Sequence, residues 1–150
     1  MTLDFILRLF VAALLGGLIG LEREYREKAA GLRTHFLVAL GSSLFMIVSA
    51  YGFDGALTNP QMRLDVSRIA AQVVSGIGFI GAGTIIFQKN AIHGLTTAAG
   101  VWVTAAIGLT CGAGMYILAL SATLLVLIGL EAFNYLLKVL ESRQEETKEE

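Results

Sequence analysis

The sequence has little charge for its length. Only 15% of its 150 residues are charged, whereas soluble domains carry about 25%. A soluble protein of this size needs polar side chains over its whole surface. Here 55% of the residues are hydrophobic and the mean hydropathy is +0.71. The shortage of charge therefore excludes an ordinary soluble domain and indicates a membrane protein.

The sequence also contains a single cysteine and no excess of basic residues. The single cysteine, Cys111, excludes an internal disulfide and a cysteine-based metal cluster. The net charge of −1, without a long basic stretch, argues against nucleic-acid binding. A chain of this length has room for one domain and not for a separate catalytic module.

The charge that is present lies mainly in two short stretches. Residues 22–33 and 141–150 together hold 14 of the 23 charged residues. We predict an all-α polytopic membrane protein, with a five-span transmembrane domain over residues 1–140 and a charged cytoplasmic tail over residues 141–150. The apolar runs long enough to cross a bilayer as helices are Leu3–Leu21, His35–Phe53, Ile69–Phe87, Leu95–Cys111 and Met115–Phe133.

The basic residues predict an orientation. Eight lysines and arginines fall in the loops and tail of one side, and three (Arg8, Arg63 and Arg68) fall on the other. Because basic residues are enriched in cytoplasmic loops, the eight belong to the cytoplasmic side. Five spans then place the N-terminus outside and the C-terminus in the cytoplasm.

Glycines recur at helical spacing within the predicted spans. Glycine costs about 1 kcal/mol relative to alanine inside a helix, so a cluster of glycines needs a reason. Close packing within one bundle is the first interpretation. A seam between copies of the chain and an unwound helix lining a cavity are the alternatives. The glycines assigned to helix packing are Gly16, Gly20, Gly76, Gly78, Gly81, Gly83, Gly100 and Gly108. The G-x-G-x-x-G pattern among them lies inside a span, so it is not a dinucleotide-binding loop.

Two groups of polar residues flank the apolar runs. Asp4 and Arg8 are spaced to pair on one helix face. Arg8 either reaches back to the interface or joins a structural or ligand-facing cluster, with Gln72 and Ser75 as candidate partners. The predicted outer cluster is Asp4, Arg8, Asp65, Arg68 and Gln72. The predicted inner cluster, either a solvated helix end or a coupling contact, is Glu22, Arg23, Glu24, Arg33 and His35.

The middle of the predicted spans contains no carboxylate. Mg²⁺ sites in proteins use one or two carboxylates plus retained waters, and secondary transporters bind substrate near the midplane. A self-contained Mg²⁺ carrier is therefore disfavoured, unless carboxylates at either end of the spans form a site. We assign no metal ligands from the sequence. No nucleophile and base are convincingly paired, so we predict no catalysis and no resident cofactor.

Five segments carry specific motifs. They are Arg8-Leu9 with Leu15–Glu24 (LGGLIGLERE), Ala30–His35 (AGLRTH), Arg68–Gly83 (RIAAQVVSGIGFIGAG), Gly94–Ala99 (GLTTAA) and the group Trp102 with Ala105–Gly108. These motifs resemble those of the MgtC/SapB membrane family, and the resemblance covers residues 3–135.

The resemblance implies a five-span protein of the bacterial inner membrane, associated with growth in low magnesium, acid tolerance and, in some pathogens, intracellular survival. It also implies regulation of other membrane machinery, such as the F-type ATP synthase, rather than Mg²⁺ transport. Many relatives carry a cytoplasmic ACT-like domain after the spans, which we do not expect in a chain that stops at Glu150. His93 stands where arginine is common, so a charge contact at the inner face is expected to be lost or to depend on pH.

We therefore predict a non-catalytic bundle embedded in the lipid bilayer. It is expected to modulate a partner membrane complex or itself. Association of several copies into a homo-oligomer is a further alternative. The alternative is a transporter or channel for Mg²⁺ or another cation, with carboxylates at the mouths.

Overall fold

The computed structural model describes residues 2–53, 65–88 and 91–149. Within these ranges the chain forms five helices and one short hairpin, so the protein is predominantly helical, as the sequence predicts. The strands pair antiparallel, with Phe87 opposite Ile92. In chain order the elements are α1 (Thr2–Tyr25), α2 (Leu32–Tyr51), α3 (Ser67–Ala82), β1 (Ile86–Gln88), β2 (Ala91–His93), α4 (Leu95–Gly112) and α5 (Tyr116–Glu149).

Among the described helices, α1, α2, α4 and the first part of α5 (Tyr116–Leu137) are long and apolar enough to cross a membrane. The third predicted span differs, because α3 ends at Ala82 after 16 residues. At ~1.5 Å per residue its length is roughly 24 Å, which is shorter than the ~30 Å hydrocarbon core of a bilayer. The prediction of one helix continuing to Phe87 is therefore wrong for residues 83–87.

Local hydrogen bonds end α3 at this point. The Thr84 hydroxyl donates to the carbonyl oxygen of Gly81 at 2.8 Å, and the N–H groups of Thr84 and Ile85 bond to Gly81 and Ala82. The β-branched and aromatic residues that follow favour an extended backbone. A short apolar run does not distinguish a strand from the end of a helix, so hydrophobicity alone placed this boundary too late.

α4 lies at the centre of the bundle and contacts each of the other helices described. α1 runs antiparallel to α2, because Gly16 faces Ala39 while Gly20 faces Leu32. A Cβ at Gly16 would lie 2.5 Å from the Ala39 Cβ, and one at Gly20 would lie 2.7 Å from the Leu32 Cα. The two helices therefore approach so closely that only glycine fits at these positions.

α2 and α4 lie side by side and run parallel. His35 is next to Gly100, and Ser43 is next to Gly112. The main apolar cluster joins α1, α4 and α5, and it contains the side chains of Ala12, Leu15, Ile19, Ile107, Cys111 and Ala119.

The predicted tight reversal between α4 and α5 is built around Gly114. The Met115 N–H bonds to the Thr110 carbonyl at 3.0 Å, the Gly114 N–H bonds to the Cys111 carbonyl at 2.9 Å, and Gly114 has φ +79°. This is a Schellman motif, in which glycine adopts the left-handed backbone at low cost. The helices thus alternate in direction. We name the two ends of the bundle the Arg8 end and the Arg23 end.

The glycines of α3 do not pack as predicted. A Cβ at Gly76 or Gly78 meets nothing within 4 Å, and one at Gly83 meets only the carbonyls of its own helix. Among the described residues, no neighbouring helix packs against these three positions. By contrast, Gly81 and Gly100 lie at ordinary contact distance from α4 and α2, and Gly108 lies directly against the backbone of Ala39.

Candidate functional site

The last turn of α1 carries a buried ion pair at the Arg23 end. Arg23 is 2% exposed, and its guanidinium donates through Nε and Nη2 to the Glu22 carboxylate, with Nη2 at 2.7 Å. An unpaired charge in this position would carry a large desolvation penalty. The Glu22 carboxylate therefore offsets the cost of burying the Arg23 charge, and the two residues form one ion pair.

Arg26 extends this ion pair across to α5. Its Nε lies 3.6 Å from Glu22, and its Nη2 donates to the Glu131 carboxylate. Glu131 raises the pKa of Arg26 above its usual value by this hydrogen bond and by its charge. The network of Glu22, Arg23, Arg26 and Glu131 ties the end of α1 to α5.

Glu24, unlike Glu22, binds a backbone N–H group rather than an arginine. Its carboxylate accepts the N–H of Leu32 at 2.9 Å, at the first residue of α2. A negative group at a helix N-terminus satisfies a free N–H and interacts favourably with the helix dipole. A Cβ at Gly31 would overlap this carboxylate, so glycine is needed there for Glu24 to reach α2.

His35 occupies a closed niche between α1, α2 and α4. The residue is fully buried, and its Nδ1 lies 2.9 Å from the Gly31 carbonyl oxygen, to which it donates. Nε2 points toward Gly100 and has no hydrogen-bond partner among the described residues. A Cβ at Gly20 would lie 3.0 Å from the His35 Cβ. The glycines of two helices therefore make room for this ring.

Arg8 joins three helices at the opposite end. Its guanidinium bonds to Asp4 at 2.8 Å, one turn earlier on α1, and donates to the Gly112 carbonyl at 2.7 Å. A further contact reaches the Tyr51 hydroxyl at 3.3 Å, and the guanidinium also lies over the Phe5 and Tyr51 rings. A cation at the C-terminus of α4 satisfies a free carbonyl and complements the helix dipole.

The other members of the predicted outer cluster lie apart from Arg8. Asp65 accepts the N–H and the hydroxyl of Ser67 at 3.0 and 2.5 Å, which lowers its pKa below the usual value. It therefore caps α3. Arg68 is exposed, and Gln72 lines an apolar groove of about 630 Å³ between α2 and α3. The contacts described for Arg8 include neither Gln72 nor Ser75, which sequence spacing suggested as partners.

The predicted inner cluster is partly brought together. Glu22 and Arg23 bond directly, Glu24 and His35 lie at the α1–α2 connection, and Arg33 is exposed on the first turn of α2.

Sequence reasoning did not identify Glu131 as a partner of Arg26, nor Tyr51 and Gly112 as partners of Arg8. Glu131 is the one acidic residue in residues 116–140, and that isolation is the signal that could have marked it. The carbonyl of Gly112 carries no comparable signal in the sequence.

Several carboxylates at the two ends of the bundle are engaged by protein groups. Asp4 binds Arg8, Glu22 binds Arg23 and Arg26, and Glu24 accepts a backbone N–H. In the described part of the chain, no group of three or more His, Cys, Asp or Glu side chains is placed to hold a metal ion. The arrangement is suited to joining helices at their ends.

Comparison with known proteins gives one consistent family. A sequence model described as the MgtC family matches residues 9–139. The protein named "Putative magnesium transporter YhiD" of Escherichia coli (strain K12) is 56% identical over 136 residues, which is 91% of this chain and 63% of that protein. "Protein MgtC" of Salmonella typhimurium (strain LT2) is 47% identical over 123 residues, which is 82% of this chain and 49% of that protein. The chain thus spans about half to two thirds of these relatives. No solved structure matches it.

Proposed function

Since the chain belongs to the MgtC family and is a multi-pass membrane protein, we propose that it serves magnesium homeostasis in the bacterial inner membrane. Its role is adaptation to low magnesium or acid stress. It acts without catalysis, by modulating a partner membrane complex, and the F-type ATP synthase is the first candidate. The name of the relative YhiD refers to magnesium, which supports this physiological context.

The observation that carries this proposal is the engagement of the carboxylates. A Mg²⁺ site needs one or two carboxylates with room for retained waters. Here Asp4, Glu22, Glu24 and Glu131 hold protein cations or a backbone N–H instead. These engaged carboxylates support a role for the charges in the architecture of the bundle rather than in binding an ion.

α5 supports contact with a partner. Only 11% of its apolar span is buried within the chain, against 50% for α4. Its side chains Ile117 and Leu125 are 85% and 70% exposed. A helix that packs through one narrow face and is exposed along the rest of its apolar span offers a long surface to another membrane helix.

Liposome flux separates modulation from transport. The purified chain is reconstituted into vesicles that contain a Mg²⁺-sensitive dye, and protein-free vesicles serve as the control. We expect no Mg²⁺ entry above the control with either sign of membrane potential. Saturable uptake that Glu22→Gln or Glu131→Gln abolishes would establish the transporter instead.

A second experiment addresses the partner. A photo-crosslinking amino acid is placed at Leu125 on α5 or, as the matched exposed control, at Phe45 on α2 (56% exposed). Crosslinking is carried out in native membranes under low magnesium. We expect Leu125 to capture a subunit of a membrane complex, and the purified complex to change its turnover when this chain is added. A captured complex whose turnover does not respond would refute modulation.

A further inference from the structure

A second cavity lies at the Arg23 end, between the start of α4, strand β2 and α5. Its volume is about 490 Å³. One wall is apolar and includes Phe133. The polar residues lining it are Arg23, Lys28, His93, Thr96, Thr97 and Asn134, and no lining residue that the structure describes is acidic. The cavity is therefore a positively charged recess beside apolar surface.

The N-terminus of α4 opens onto this cavity. Gly94 precedes the helix with φ +89°, and no side chain caps it. The first N–H bonded within the turn is that of Ala98, to the Gly94 carbonyl at 2.9 Å. The preceding N–H groups have no partner within the helix, and the first turn contains no acidic residue. Such a terminus attracts anions.

Thr97 gives independent evidence for a ligand. It is 4% exposed, lines the cavity, and its hydroxyl makes no hydrogen bond to any described residue. Elsewhere on α4, the hydroxyls of Thr104 and Thr110 donate to the carbonyls four residues earlier, at 2.8 and 2.7 Å. For Thr97 the residue four positions earlier is His93, which lies outside the helix. The Thr97 side chain is thus almost enclosed, and its hydroxyl has no hydrogen-bond partner among the described residues.

Two cationic residues at and just after the end of α1, Arg23 and Lys28, line the same cavity as Thr97. The Lys28 N–H bonds to the Arg23 carbonyl at 3.0 Å, and Glu27 adopts φ +53° to make that turn. Arg23 uses Nε and Nη2 on Glu22, which leaves Nη1 outside its described hydrogen bonds. Glu22 and Glu131 together balance the charges of Arg23 and Arg26, so the Lys28 ammonium is the positive charge that these pairs leave at the cavity.

We propose that this cavity binds a phosphate group. The amides at the start of α4, the Thr97 hydroxyl, Arg23 and Lys28 supply its donors. Two sources share this chemistry: the headgroup of an anionic phospholipid and free inorganic phosphate. The proposal does not depend on how the protein acts on a partner, because it concerns a ligand of the bundle itself.

The test uses the full chain in nanodiscs of phosphatidylcholine. Inorganic phosphate is titrated in one arm, with binding measured by calorimetry. In the other arm phosphatidylglycerol is mixed into the lipid, and retained lipid is counted by native mass spectrometry. Saturable binding of phosphate would assign the site to a free anion. Retention of phosphatidylglycerol alone would assign it to a lipid headgroup, and either result supports the proposal.

The variants test the named donors. Loss of one charged or one neutral hydrogen bond weakens binding by about tenfold and about fivefold respectively, so we expect these effects for Lys28→Gln and Thr97→Val. Thr97→Ser keeps the hydroxyl and should stay within about twofold of the wild type. Arg33→Gln removes an exposed basic residue near the same end and serves as the charge control. The proposal is overturned if neither ligand binds saturably, or if Arg33→Gln weakens binding as much as Lys28→Gln.

Discussion

The tight α1–α2 contact makes a specific prediction for Gly16→Ala. The new methyl group would start 2.5 Å from the Ala39 Cβ and 2.6 Å from the His35 carbonyl oxygen. Carbon atoms pack best at about 3.5–4.0 Å, so α1 and α2 must separate by about 1 Å. Neither neighbour is the end of a flexible side chain, and the backbone itself has to move.

Two effects of opposite sign decide the outcome. Alanine in place of glycine inside a helix gains about 1 kcal/mol. Overpacking typically costs about 1–3 kcal/mol and occasionally more. A 1 Å gap also forfeits about a quarter to a half of the dispersion energy along the contact. We expect a net loss of about 2 kcal/mol in the free energy of unfolding, which lowers the unfolding temperature by about 5 °C.

The chain contains its own probe for the assay. Cys111 is the single cysteine and is fully buried in the cluster that joins α1, α4 and α5. A maleimide dye that fluoresces on reacting with a thiol therefore reports unfolding during heating. The matched control is Gly76→Ala, where a Cβ meets nothing within 4 Å, and its stability should be unchanged or higher. If Gly16→Ala unfolds at or above the wild-type temperature, or both variants fall equally, the reasoning about close approach is wrong.

The same thiol assay measures the remaining predictions. Arg8→Gln should lower the free energy of unfolding by about 1–3 kcal/mol, because its charged hydrogen bonds are lost. Arg68→Gln, at an exposed residue, should change the free energy of unfolding little. Equal effects of the two substitutions would contradict the assigned contacts. Arg26→Glu and Glu131→Arg should each lower the unfolding temperature, and the double exchange should recover part of the loss; a strictly additive loss would exclude a direct pair. Glu27→Gly should stabilise the chain by about 1 kcal/mol, because residue 27 has φ +53°; a lower unfolding temperature would refute this.

Residue patterns predicted the helices well where a long apolar run with clear boundaries decides the structure. The runs that became α1, α2 and α4 are long, apolar and bounded by charge or glycine, and their ends lie within a few residues of the predicted ones. The Asp4–Arg8 pair was also predictable, because spacing on one helix fixes which side chains meet. The end of α3 was not predictable, because a short apolar run fits a strand as well as a helix.

Contacts between helices were much harder to predict. Arg8 binds a carbonyl more than 100 residues away, and a backbone oxygen has no identity in the sequence. Gly16 and Gly76 are the same residue type in the sequence. Gly16 packs against α2, whereas a Cβ at Gly76 would have no described residue within 4 Å. The difference depends on which helices become neighbours. Spacing along a helix specifies a face but not what covers that face.

These contacts divide the bundle into a fixed part and an attached part. α1, α2 and α4 meet at glycines where the addition of one methyl group forces the backbone apart, so their relative positions are set to within about 1 Å. α5 adds few buried side chains along its apolar span, and the Gly114 turn and the Arg26–Glu131 pair attach that span near its start and its end. If the proposed anion binds beside Arg23, we expect α5 to respond first, because the Arg26–Glu131 pair attaches it to this end. That is also the helix whose apolar face is open to a partner.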